Sequence, residues 1–168
     1  MRRATGSCRV FTYKEGMLSR VAHDLRLAAE GCEASLDGER VSARLPLSGL
    51  RVEGVMRDGA LRADELDAKQ RTEIERALHA EILHTQARPE ARYEGRAEPA
   101  DFGFRVTGEL LLAGERAPLA FEVRHTDGSY AARFTLAPSQ WRIQKYKALL
   151  GAIRLQDRVD VELSLREA

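Results

Sequence analysis

The stretch that decides the fold is Phe102-Gly-Phe-Arg-Val-Thr-Gly108-Glu-Leu-Leu-Leu-Ala-Gly114-Glu-Arg-Ala-Pro118-Leu-Ala-Phe-Glu-Val-Arg-His125-Thr-Asp-Gly128-Ser-Tyr-Ala-Ala-Arg-Phe134. Phe104, Val106, Leu110 and Leu112 fall on every second position, with Gly108 between them. Leu119, Phe121 and Val123 form a second row beyond the turn at Ala113-Gly114. Tyr130, Ala132, Phe134 and Leu136 form a third beyond Thr126-Asp127-Gly128. A period of two, broken by glycine-bearing turns, predicts three hairpin-linked strands that send one apolar row each to the same side.

Working outward, the same period recurs. Residues 8–14 read as a first strand, and Gly16 ends it. Residues 17–23 are short and mixed and read as a helical turn. Leu25, Leu27 and Ala29 share a face, Gly31 interrupts it, and Cys32, Ala34 and Leu36 continue it. Glycine inside such a pattern marks a bulge or bend, as a closing barrel needs. Asp37-Gly38 is a hairpin signal, followed by Val41, Ala43, Leu45 and Leu47. Residues 49–65, rich in Gly, Arg and Asp, read as a loop. From Asp67 the period changes. Ile74, Ala77, Leu78 and Ile82 predict an amphipathic helix of roughly four turns, with Asp64 or Asp67 as N-cap. Residues 91–97 are again a strand, 141–153 a short helix or an ordered connection, and Val159, Val161, Leu163 and Leu165 the last strand.

The expectation is therefore an all-β protein with one or two helices, a single domain over residues 1–168 with about eight antiparallel strands in a barrel or sandwich. An eight-stranded barrel is filled by its own side chains or holds one small ligand, and periodicity does not decide between the two.

Composition narrows the function. The 27 basic and 26 acidic residues leave a formal net charge of +1, which gives no electrostatic case for nucleic acid or an anionic membrane. No apolar run is long enough for a transmembrane segment, and Met1-Arg2-Arg3 leads straight into strand-like sequence without a signal-peptide core. A cytoplasmic protein is expected. Cys8 and Cys32 are expected to be free, half-buried thiols.

Catalytic patterns are missing. No HExxH, CxxC pair or HxH occurs, and His79 and His84 are five apart, so no metal site is expected. No serine lies in a Gly-x-Ser-x-Gly elbow, and neither Gly-x-Gly-x-x-Gly nor a Walker sequence is present to bind a nucleotide cofactor. His23-Asp24 would be an orienting pair for acid–base work, or simply a histidine at a hairpin end. Arg142, Lys145 and Lys147 around Trp141 and Tyr146 make one basic, aromatic cluster, which a segment capping a barrel end explains as well as a nucleic-acid contact does.

The segment Gly108 to Val123 resembles the Gly-x-Leu-x-x-x-Gly-x-x-x-Pro-Leu-x-Phe-x-Val hairpin of the YceI-like family, lipocalin-like polyisoprenoid-binding proteins. Other features agree in order: Ser19 before His23-Asp24, Leu61 to Asp67 ahead of the helix, and Leu150 to Val161 at the closing strand, with Pro89 to Tyr93 a looser match. Many members of that family carry a secretion signal, and its usual loop-helix is less regularly helical than residues 67–84. The resemblance implies a lipocalin-like eight-stranded antiparallel barrel that holds a long-chain apolar small molecule, a polyisoprenoid or polyprenyl quinone, as a non-enzymatic binding or carrier protein.

On that implication the ligand-binding residues are Phe104, Val106, Leu110, Leu112, Leu119, Phe121, Val123 and Phe134, with Trp141 near an end. Tyr13, His23, Tyr93, Trp141 and Tyr146 are candidates for contact with a polar head. No cofactor is expected. A homodimer is the partner that an unpaired edge strand would bring.

Overall fold

The computed structural model describes residues 1–15, 23–144, 147–148 and 153–168. Eight long strands make its wall: β1 (Arg2–Lys14), β2 (Leu25–Asp37), β3 (Arg40–Pro46), β6 (Glu90–Ala100), β7 (Gly103–Leu112), β8 (Glu115–Thr126), β9 (Ser129–Leu136) and β11 (Ile153–Glu167). They are hydrogen-bonded in the order β1-β11-β9-β8-β7-β6-β3-β2, and β2 pairs back onto β1. Every pairing is antiparallel. The expected closed, eight-stranded barrel is present, and β7, β8 and β9 are the three strands read from Phe104 to Leu136.

Closure needs bends, and glycine supplies them. Gly31 has φ +77°, and the β1–β2 register slips there, so that Gly6 faces Cys32 while Ser7 faces Glu30. The bulge keeps Ala29 and Cys32 both in the core across an odd spacing. Gly95 and Gly108 face one another across β6 and β7. A Cβ on Gly108 would lie 2.2 Å from the Glu94 carbonyl oxygen, so the strands come closer there than any side chain permits.

Residues 49–65 are not a loop. They form β4 (Arg51–Arg57) and β5 (Ala60–Arg62), a hairpin attached to β2 and turned at Asp58-Gly59. Val52 and Val55 are both buried, three residues apart, because the register of β4 on β2 slips beside Glu53. That slip breaks the strand's alternation, and the loop reading rested on the Gly, Arg and Asp content of the segment.

The helix α1 (Ala68–Arg76) starts where expected, and Asp67 rather than Asp64 is its N-cap. The Asp67 carboxylate accepts from the Gln70 amide at 2.8 Å, while the Gln70 side chain accepts from the Asp67 amide at 3.0 Å. Its continuation, Ala77–Ile82, widens into a π-helical turn, closed by the Leu83 N–H donating to the Leu78 carbonyl at 2.9 Å.

Residues Pro138–Trp141 make a single 3₁₀ turn, and β10 (Lys147–Ala148) pairs with β11. The helical turn expected at 17–23 lies outside the described residues up to 22, as do Tyr146, Lys145 and 149–152 of the expected connection. Cys8 and Cys32 are free but fully buried rather than half-buried. The barrel wall has no unpaired edge. Among the described residues the edges are β5 and β10, of three and two residues, so no long edge strand invites a second copy.

Candidate functional site

The inward rows do not fill the barrel. They enclose a cavity of about 300 Å³, lined almost wholly by apolar side chains. Phe104, Val106, Leu110 and Leu112 of β7, Leu119, Phe121 and Val123 of β8, and Phe134 of β9 all stand in its wall. Phe121 stacks on Phe134 with ring centroids 4.8 Å apart and meets Tyr93 at 5.4 Å. These eight side chains, spread over 31 positions of sequence, are brought to one surface by the antiparallel register.

Tyr93 crosses the wall. Its hydroxyl donates to the Leu119 carbonyl at 2.8 Å, two strands away, over the position where Gly108 has no side chain. Burial pushes its pKa up to about 12, so the phenol stays neutral. The Thr12 hydroxyl also lies in the wall, shielded from solvent and without a hydrogen-bond partner.

Trp141 stands apart from the other eight. It is 1% exposed, it does not line the cavity, and its indole N–H donates to the Leu110 carbonyl at 2.8 Å. It ties the 3₁₀ turn Pro138–Trp141 to β7.

The two ends of the cavity differ. At one end, Leu47, Leu50, Leu78, Ile82 and Leu83 roof the barrel. His79 pins that roof, because its ring lies 2.9 Å from the Thr85 hydroxyl and 2.7 Å from the Leu50 carbonyl. A carbonyl only accepts, so Nε2 carries a proton and donates to Leu50. At the other end the strand termini form a rim. Arg2 and Arg3 line the cavity and are exposed. Phe104, His125 and Tyr130 stand beside them, and His125 stacks on Tyr130 at 4.3 Å with rings 8° from parallel.

The other expected head contacts lie elsewhere. Tyr13 is on the outer face, donating to Asp160 at 2.5 Å. His23 and Asp24 do not line the cavity, and the Asp24 carboxylate accepts the Lys14 amide at 2.8 Å. Arg142 is exposed, 3.8 Å from Glu115. Among the described residues no group of His, Cys, Asp and Glu is placed to hold a metal ion, and no helix is long and apolar enough to cross a membrane. Sequence reading missed the rim. His125 continues the inward row of β8, and that parity was the available signal.

A closed eight-stranded barrel with a hollow apolar interior is the architecture to which known proteins compare. The profile of the YceI-like domain matches residues 5–166. The chain belongs to the YceI-like family. Among solved structures, a YceI-like fold is shared with a polyisoprenoid-binding domain from Saccharophagus degradans, at 8% identity, covering 98% of this chain and 97% of that one with a TM-score of 0.64. BcnA of Burkholderia cenocepacia is similar at 12% identity, 94% coverage of both chains and a TM-score of 0.58. The YceI protein of Campylobacter jejuni is similar at 9% identity, covering 92% of this chain and 89% of that one with a TM-score of 0.51. No curated protein matches the sequence.

Proposed function

We propose that this YceI-like barrel is a non-enzymatic carrier of a long apolar molecule, of polyisoprenoid type, held in its interior. The single observation that supports this most is the unfilled cavity of about 300 Å³ between Phe104, Leu112, Phe121 and Phe134. Ligand pockets begin at about that size. At about 24 cal/mol per Å³ of unfilled apolar cavity, such an interior leaves on the order of several kcal/mol of packing unrealised. A methyl-branched hydrocarbon recovers it, at about 25 cal/mol per Å² of apolar area removed from water. The printed description of the Saccharophagus degradans neighbour supports the isoprenoid class. A polyprenyl quinone is one member of that class.

A cytoplasmic setting completes the reading. The free, buried thiols Cys8 and Cys32 support it, since unpaired cysteines persist in a reducing compartment.

The test is solvent extraction of the purified protein followed by mass spectrometry, with thermal melting in added polyprenyl compounds. A ligand at about 100 times its Kd adds about 2.7 kcal/mol, or about 5–10 °C in Tm for a domain of this size. Leu112→Glu and Phe121→Glu place a charge in the wall and should abolish both the extracted hydrocarbon and the shift. No extracted hydrocarbon and no shift in the wild type would end the carrier reading.

A further inference from the structure

Two thiols stand together at the cavity wall, and a carrier has no need of them. Cys8 of β1 lines the cavity and is 4% exposed. Cys32 of β2 is 2% exposed and does not line it. The bulge at Gly31 brings the pair together. Cys8 faces Ala29 across the two strands. Gly31, at φ +77°, turns the chain so that the Cys32 sulfur comes back to 4.0 Å from the Ala29 carbonyl. Gly6, the residue of β1 opposite Cys32, presents no side chain there. A hydrogen bond with Cys32 holds the Cys8 pKa below its ordinary value, although burial opposes it. Cys8 is therefore the more readily ionised thiol, and the thiolate is the reactive form.

The way to Cys8 lies through the cavity. Its side chain points inward with Ala4 and Val10, and β2 and β11 flank β1 on either side. An interior lined by apolar side chains admits apolar molecules and holds charged ones out. An oxidant that meets Cys8 is therefore an apolar one. An unsaturated hydrocarbon supplies it, because allylic carbons take up oxygen to give hydroperoxides. Reactive thiols of the redox kind are poised beside a second, resolving thiol, and Cys32 stands in that place.

We infer that Cys8 and Cys32 form a dithiol site that reduces an apolar hydroperoxide held in the barrel, one per barrel. The inference rests on the carrier reading and adds a reaction to it. The Cys8 sulfur attacks the terminal oxygen of the hydroperoxide. An S–O bond forms, the O–O bond breaks, and the departing alkoxide takes the Cys8 proton to become an alcohol. Cys8 is left as a sulfenic acid. The Cys32 sulfur then attacks the Cys8 sulfur. An S–S bond forms, the S–O bond breaks, and the hydroxide leaves with the Cys32 proton as water. Two thiols are oxidised by two electrons, and the peroxide is reduced by two.

The experiment gives the reduced protein cumene hydroperoxide, an apolar probe, and measures the alcohol formed, the free thiols and the peptide map. The wild type should yield one alcohol per protein, lose both thiols and show Cys8 joined to Cys32. Cys32→Ala should still yield the alcohol and stop at a Cys8 sulfenic acid, which dimedone traps. Cys8→Ala should yield none. Melting curves check that both variants fold, and the wild-type peptide map stands without them. Phytane, a branched hydrocarbon with no oxidant in it, tests the route. At about 100 times its Kd it leaves about one barrel in a hundred empty and should slow the reaction about a hundredfold. Alcohol formed by Cys8→Ala, wild-type thiols that stay reduced, or a rate that phytane does not change overturns the inference. If phytane raises the melting temperature while the thiols stay reduced, the inference falls and the carrier reading stands. If phytane does not bind, the carrier reading falls and takes the inference with it.

Discussion

At the roof of the barrel, Leu47 and Leu50 come from the 3₁₀ turn Leu47–Gly49 and its C-terminal end, and Leu78, Ile82 and Leu83 from the π-helical turn and its end, with the His79 ring joining the two at the Leu50 carbonyl. At the rim, Arg2, His125, Tyr130 and Glu167 come from the bare ends of four strands and are half-exposed or exposed. The roof puts apolar area and satisfied polar groups together, so its side chains carry stability. The rim buries less, so its side chains carry less stability. A change at the roof should therefore cost more stability than a change at the rim.

The harshest way to break this contrast is Trp141→Ala beside the roof. It removes a fully buried indole and strands the Leu110 carbonyl. The loss should be about 3–5 kcal/mol, or about 10 °C in Tm. A drop under about 1 kcal/mol in denaturant titration would show that the roof end is not where stability resides.

His79→Ala is milder. It leaves the buried Thr85 hydroxyl and the Leu50 carbonyl unmet and should cost about 1–3 kcal/mol, measured the same way. His125→Phe at the half-buried rim keeps the ring that stacks on Tyr130 and should cost under about 1 kcal/mol, measured the same way. Equal losses at His79 and His125 would erase the distinction between the two ends.

The smallest effect belongs to the wall between them. Burial alone would raise the pKa of Asp160, but hydrogen bonds from Thr135 and Tyr13 and the Arg158 guanidinium outweigh it, and the net direction is down. A carboxyl held below its unfolded value of about 3.9 contributes stability above that pH and loses it as pH falls further. Unfolding free energy should decline below about pH 4 by at most about 1.4 kcal/mol per pH unit from this group, and Asp160→Asn should flatten that part of the slope.

Much of the wall was legible because its signal is local. Phe104 to Leu112 and Leu119 to Val123 alternate without a break, and Asp37-Gly38 and Asp127-Gly128 mark their turns plainly. Asp58-Gly59 is the same turn signal, but the Gly, Arg and Asp content around it reads as a loop, and the slip beside Glu53 sets Val52 and Val55 three apart, out of step with a strand. The rim was illegible for a different reason. Arg2, His125, Tyr130 and Glu167 are gathered by barrel closure, the first and the last 165 positions apart, and no window of sequence holds them together. Trp141 was expected as a ligand contact near an end, and it does not line the cavity. Its tie to β7 depends on one hydrogen bond to Leu110, which no pattern announces.

Tyr93, bonded across Gly108 to the Leu119 carbonyl, acts as a hoop on the cavity. A tube so hooped, with its strands joined all the way round, does not part sideways. Any chain inside travels lengthwise, one segment following another. On the proposed carrier function, departure would be a sliding motion whose rate falls with each carbon still in contact with the wall.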